Sequence, residues 1–127
     1  MSGTMLLRTK IFAIAMSLVF LIGAGRGGAE SVYLADIDDL PLAPGLVEDL
    51  DARVSFDKPA GRIVEAVATG GSSGDEVRTF YEQTLPALGW EARGQTRWER
   101  GGETLRIEIN QGRAPVVVRF SIAPRDQ

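Results

Sequence analysis

The sequence predicts an α+β fold: a small antiparallel sheet of about five strands, in the order β-β-α-β-β-β, with one helix packed on one face. Three observations carry that expectation. Residues 90–122 alternate polar and apolar side chains in runs broken by glycine-containing turns, the period-2 signature of strands covered on one face. Residues 73–89 hold the start signal, apolar stripe and stop signal of a single helix. Each stripe also needs something to cover it, and laying the helix on the sheet hides both.

Taken in order, the chain begins with a targeting pattern. Arg8 and Lys10 precede an uncharged run from Ile11 to Gly25, 15 residues long, which is shorter than the ~20 a membrane-spanning helix needs. Gly27, Gly28 and Ala29 follow, so residues 1–29 read as a secretory signal peptide cleaved near Ala29. Met5 offers a second possible start, and an uncleaved inner-membrane anchor is the alternative. The expected product is a periplasmic or secreted protein with no stable membrane anchor. Removing residues 1–29 leaves 98 residues with 11 of the 14 basic and all 17 acidic side chains, a net charge of −6. Such a chain is repelled by phosphate backbones, which argues against a nucleic-acid partner. No cysteine occurs, so disulfides and a lipobox are both excluded.

Residues 30–51 show no regular period. Pro41, Pro44 and Gly45 favour extended or turn backbone, and the segment reads as an acidic leader with Leu40, Leu42, Leu46 and Val47 along the domain edge. Its carboxylates, Asp36, Asp38, Asp39, Glu48, Asp49 and Asp51, lack the glycine and terminal glutamate of a calcium loop and read as solvated. A single α+β domain is expected over 52–124. Val54 and Phe56 share one side of a short strand, Asp57–Gly61 is turn chemistry, and Arg62–Thr69 is a second strand. Val64, Ala66 and Ala68 are the set expected to face the helix.

Ser73 and Glu76 form an S-x-x-E capping box after Gly70–Ser72, and Asp75 and Glu76 complement the positive helix end. Val77, Phe80, Tyr81, Leu85 and Leu88 make one apolar stripe. Pro86 predicts a kink or a closing 3₁₀ turn, and Gly89 the residue after the cap. Trp90–Glu99 then reads as one strand with Trp90 and Trp98 on one face. Leu105 and Ile107 mark the next strand, and Val118 and Phe120 the last, with turns at Arg100–Gly102 and Asn110–Gly112. The tail after Ala123 is expected to fray, with residues 125–127 outside the domain.

The chain has no histidine and no cysteine. That removes Ser-His-Asp and Cys-His catalysis and the common zinc, copper and haem ligand sets, so no catalytic residue, metal ligand or cofactor is expected. Ser73 is a cap rather than a nucleophile. The glycine-serine loop lacks the Lys-Ser/Thr pair of a phosphate loop and carries Asp75 and Glu76 instead. Glu65, Glu91, Glu99 and Glu108 lie on strands where pairing with arginines such as Arg97 or Arg106 is the ordinary role. Trp90, Trp98, Phe80 and Tyr81 fit core packing better than a ligand slot. The favoured role is therefore a non-catalytic module that binds another envelope protein; a small-molecule or lipid binder using the helix–sheet interface is the alternative.

Through Phe80-Tyr81, Leu85-Pro86 and Leu88-Gly89-Trp90, with Pro41–Gly45 as a Pro-Gly leader, the chain resembles a family of small, uncharacterised exported bacterial proteins. The resemblance covers roughly Leu40 to Pro124 and rests on cap, stripe and stop, so it implies fold rather than activity. The element order is more distantly similar to helix-grip-type domains of an outer-membrane assembly lipoprotein, from which the missing lipobox cysteine departs.

Overall fold

The computed structural model describes residues 32–110 and 115–125. The segment read as a signal peptide, the expected turn beyond Asn110 and residues 126–127 lie outside the described residues. The strands are β1 (Tyr33–Leu34), β2 (Ile37–Pro41), β3 (Leu46–Glu48), β4 (Val54–Lys58), β5 (Gly61–Gly70), β6 (Glu91–Ala92), β7 (Arg97–Arg100), β8 (Glu103–Ile109) and β9 (Val116–Pro124). The helix α1 spans Gly74–Thr84.

All strand pairings among the described residues are antiparallel. A seven-stranded sheet runs in the order β3-β5-β9-β8-β7-β6, with β4 also paired to β5, and β1-β2 form a separate hairpin. The α+β class with one α-helix holds among the described residues, but the expected count of about five strands is too low. Two segments account for the difference. The acidic stretch read as a leader folds into β1, β2 and β3, and it buries Leu34, Ile37, Leu40, Leu42, Ala43 and Leu46 in the core. Only Val47, of the four apolar residues expected along the edge, stays exposed. Residues 90–99, read as one strand, instead double back at Arg93–Thr96, where Gly94 takes a φ of 141°. Ala92 and Trp98, which pair directly, are an even number of positions apart, so the alternation continues through the loop and hides the reversal.

The helix begins and ends as its sequence dictates. Ser73 Oγ accepts from the Glu76 N–H, and the Glu76 carboxylate accepts from the Ser73 N–H, each at 3.0 Å. Pro86–Leu88 form a closing 3₁₀ turn, and Gly89 in the left-handed region stops it. Val77, Tyr81 and Leu85 are buried against the inward residues of the sheet: Val64, Ala66 and Ala68 of β5, Trp98 of β7, Leu105 and Ile107 of β8, and Val116, Val118, Phe120 and Ile122 of β9. The β5 set expected to face the helix is therefore the buried one. Strand β9 continues to Pro124, and the Arg125 N–H donates to Gly102 O at 2.7 Å, so the chain does not fray directly after Ala123. No helix among the described residues is long and apolar enough to cross a membrane.

Candidate functional site

The residues singled out in the sequence are brought together, and what they build is the core. Tyr81 stands edge-on to Phe80 at 4.9 Å between centroids and to Phe120 at 5.6 Å. Its hydroxyl donates to Pro41 O at 2.8 Å and accepts from the Ala43 N–H at 3.1 Å. Burial pushes the Tyr81 hydroxyl far above the ordinary phenol range, with the Ala43 N–H acting in the other direction. Trp90 and Trp98 are buried, and the Arg100 guanidinium lies 4.3 Å over the Trp90 ring. Phe80 and Leu88 are only partly buried at the margin. Between the helix and β7–β8 a space of about 130 Å3 remains, lined by Tyr81, Trp98 and Ile107. That is below the ~300 Å3 where small-molecule pockets begin.

A second space lies on the helix flank rather than under it. Ala43, Pro44, Val77 and Phe80 line an open groove of about 550 Å3, rimmed by Asp75, Glu76 and Gln83. The capping carboxylate of Glu76 is already used by the Ser73 N–H, so the groove's polar rim is acidic and partly committed.

The leader carboxylates disperse rather than converge. Asp39 pairs with Arg100 at 2.8 Å, and that hydrogen bond holds its carboxyl below the usual range. Asp36 lies 3.8 Å from Arg53, Asp49 accepts from the Asp51 N–H, and Glu48 Oε1 accepts from the Ala35 N–H while Oε2 has no partner among the described residues. No group of three or more His, Cys, Asp or Glu among the described residues could hold a metal ion.

The other face of the sheet carries the unassigned chemistry. Ile63, Glu65, Val67 and Thr69 of β5 point there by alternation, and the register sets Phe56 beside Ile63, Val54 beside Glu65, and Val47 beside Thr69. Val47 is 69% exposed, Val54 45% and Phe56 51%; Leu50, in the 3₁₀ turn between β3 and β4, is 54% exposed. Beyond β9 the face becomes charged. Arg97 stands directly opposite Arg106, and Arg119 directly opposite Glu108. Among the described residues, the arginine–acid pairing expected for Arg97 and Arg106 is not made, because register puts the two arginines against each other. The ion pairs form elsewhere: Arg62 with Glu103 at 2.7 Å, and Glu99 with both Arg93 at 3.2 Å and Arg125 at 3.4 Å. The Glu103 carboxylate raises the Arg62 guanidinium further above its ordinary value. Glu65 and Glu108 share a depression of about 210 Å3 with Arg106, Arg119 and Ser121.

The exposed apolar strip was not singled out by sequence reasoning. Its signal was nonetheless available: if Val64, Ala66 and Ala68 face inward, the hairpin register forces Val54 and Phe56 outward. Comparison of the chain with protein-family models, curated proteins and solved structures found no match.

Proposed function

We propose that this chain is an exported, non-catalytic module that binds another protein of the bacterial envelope through the uncovered face of its sheet. One observation carries the reading: Val47, Val54 and Phe56 lie on one outward face, beside a charged field of Glu65, Arg97, Arg106, Glu108 and Arg119. Apolar residues grouped beside polar ones on an open surface are the composition of a protein-docking patch. The absence of histidine and cysteine from the sequence supports a binding role over a catalytic one.

The test is site-specific photo-crosslinking in intact cells from Val47 and Leu50, with Gln83 on the opposite side of the domain as control. A discrete protein adduct at the first two positions and none at Gln83 is expected. No adduct at either, or the same adducts at all three, would overturn the reading. A second reading, an apolar ligand, is favoured by the 550 Å3 groove beside Phe80 and Pro44. Native mass spectrometry that finds a bound small molecule, lost on Phe80→Asp but not on Val47→Asp, would select it instead.

A further inference from the structure

Alternation along β5 decides which backbone groups of its neighbour β4 are free. The Asp49 N–H donates to Val67 O at 2.8 Å, so odd-numbered residues of β5 aim their polar groups away from β9. Glu65, Ile63 and Gly61 therefore bond with Val54, Phe56 and Lys58, which they face. Ser55 and Asp57 must then turn N–H and C=O to the opposite side, where no strand of the described residues pairs. Arg53 is extended (φ −80°, ψ 148°) and continues the alternation as a third outward residue. Residues 53–58 are all exposed. An open edge of this kind is a template for another strand.

The strand that fits it is its own copy. Laid antiparallel about Ser55, Arg53 meets Asp57 of the second copy, Val54 meets Phe56, and Ser55 meets Ser55. Every outward residue then pairs with an outward residue, giving about six backbone hydrogen bonds, two opposite-charge pairs and two apolar pairs. The neighbouring registers are worse. An axis at Asp57 opposes two aspartates, and an axis at Phe56 sets Arg53 against Pro59, which has no N–H to give. Arg53 is available for the contact, since its pairing with Asp36 is long at 3.8 Å and exposed.

We propose that two copies of this chain associate through residues 53–57 of their β4 edges, about a two-fold axis at Ser55, joining the two sheets into one. The contact is isologous and closed, so it yields dimers rather than filaments. It goes beyond the proposed function and does not depend on it: edge pairing joins the sheets side by side, and although it uses Val54 and Phe56, it leaves the sheet faces open.

The experiment is sedimentation equilibrium of the purified product of the full chain over a concentration series. The unsubstituted protein is expected to show a monomer–dimer equilibrium. Arg53→Asp and Asp57→Arg should each weaken it about tenfold or more, since each turns two attractive pairs into two repulsive ones. Combining them should restore it. The cysteine-free sequence allows a second readout. Ser55→Cys should give a disulfide-linked dimer on mild oxidation, because directly opposed residues lie ~5.5 Å apart between Cα atoms, within disulfide reach. Phe56→Cys, which faces Val54, should not. A monomer at every concentration, a double variant no better than its weaker parent, or linkage at Phe56→Cys instead of Ser55→Cys would overturn the proposal.

Discussion

Tyr81→Phe tests whether the first strands are held to the helix by one hydroxyl. The substitution keeps the ring and its edge contacts with Phe80 and Phe120, and removes only the oxygen. That oxygen donates to Pro41 O and accepts from the Ala43 N–H, both on buried residues. Leaving a buried backbone group unsatisfied costs about 1–3 kcal/mol, so two should cost roughly 2–6 kcal/mol. A domain of this size has about 5–15 kcal/mol in all. Urea titration followed by tryptophan fluorescence should show the drop, and amide exchange at Ala43 should accelerate. The pH dependence adds a signed check. A phenol whose folded-state value is raised stabilises the fold below the ordinary value of ~10 and loses that contribution as pH rises beyond it. The parent should therefore weaken above about pH 10 while Tyr81→Phe does not, and the gap between them should narrow. A loss under ~0.5 kcal/mol with unchanged Ala43 protection would refute the staple.

Three further outcomes are expected. Asp39→Asn should cost less than about 1 kcal/mol at neutral pH, because the pair with Arg100 is half-exposed; since Arg100 lowers the Asp39 value, this contribution exists above pH ~4 and vanishes below, so the variant should show a flatter acid limb in pH-dependent unfolding. Gly70→Ala should lower the unfolding free energy by about 1–3 kcal/mol or more in thermal denaturation, as a Cβ there would run into Gly45 O and the Leu46 Cα where β3 meets β5. Trp98→Ala should cost about 3–5 kcal/mol in chemical denaturation and Phe80→Ala distinctly less, because Trp98 is buried whereas Phe80 sits partly exposed at the helix margin.

The parts of the fold that were legible are those whose signals are local. Ser73 and Glu76 cap the helix because their spacing alone brings hydroxyl and N–H together. Leu105 and Ile107 could be assigned inward because alternation along one strand needs no partner to interpret. The strands of residues 32–48 were illegible for the opposite reason. Tyr33–Leu34 and Leu46–Glu48 are too short to establish a period, and their order comes from distant partners: Tyr81 for Pro41, and Ala68–Gly70 for β3. The arginine opposition of Arg97 and Arg106 is likewise a property of register, which no single strand encodes. The uncovered strip fell between these cases, since each side chain's direction could be inferred but its exposure could not.

Geometry explains why the leader had to be core and why one face was left over. The sheet is six strands across, which at ~4.8 Å per neighbour is about 24 Å, whereas a helix with its side chains is about 10 Å wide. One helix of 11 residues can shield little more than two strands. Leu34, Ile37, Leu40 and Leu42 supply the rest of the cover on that face, and the Arg100–Asp39 pair closes its margin. Outward positions on β7, β8 and β9 include Arg97, Arg106, Glu108 and Arg119, which suit water, alongside Val117, whereas β3 and β4 place the exposed Val47, Val54 and Phe56 on the same side. Strand propensity favours Val and Phe in a strand, but gives no reason to group three exposed apolar side chains on one face. The proposed contact with a second protein surface would give one, at the β3–β4 end of the sheet rather than around the helix that dominates the sequence.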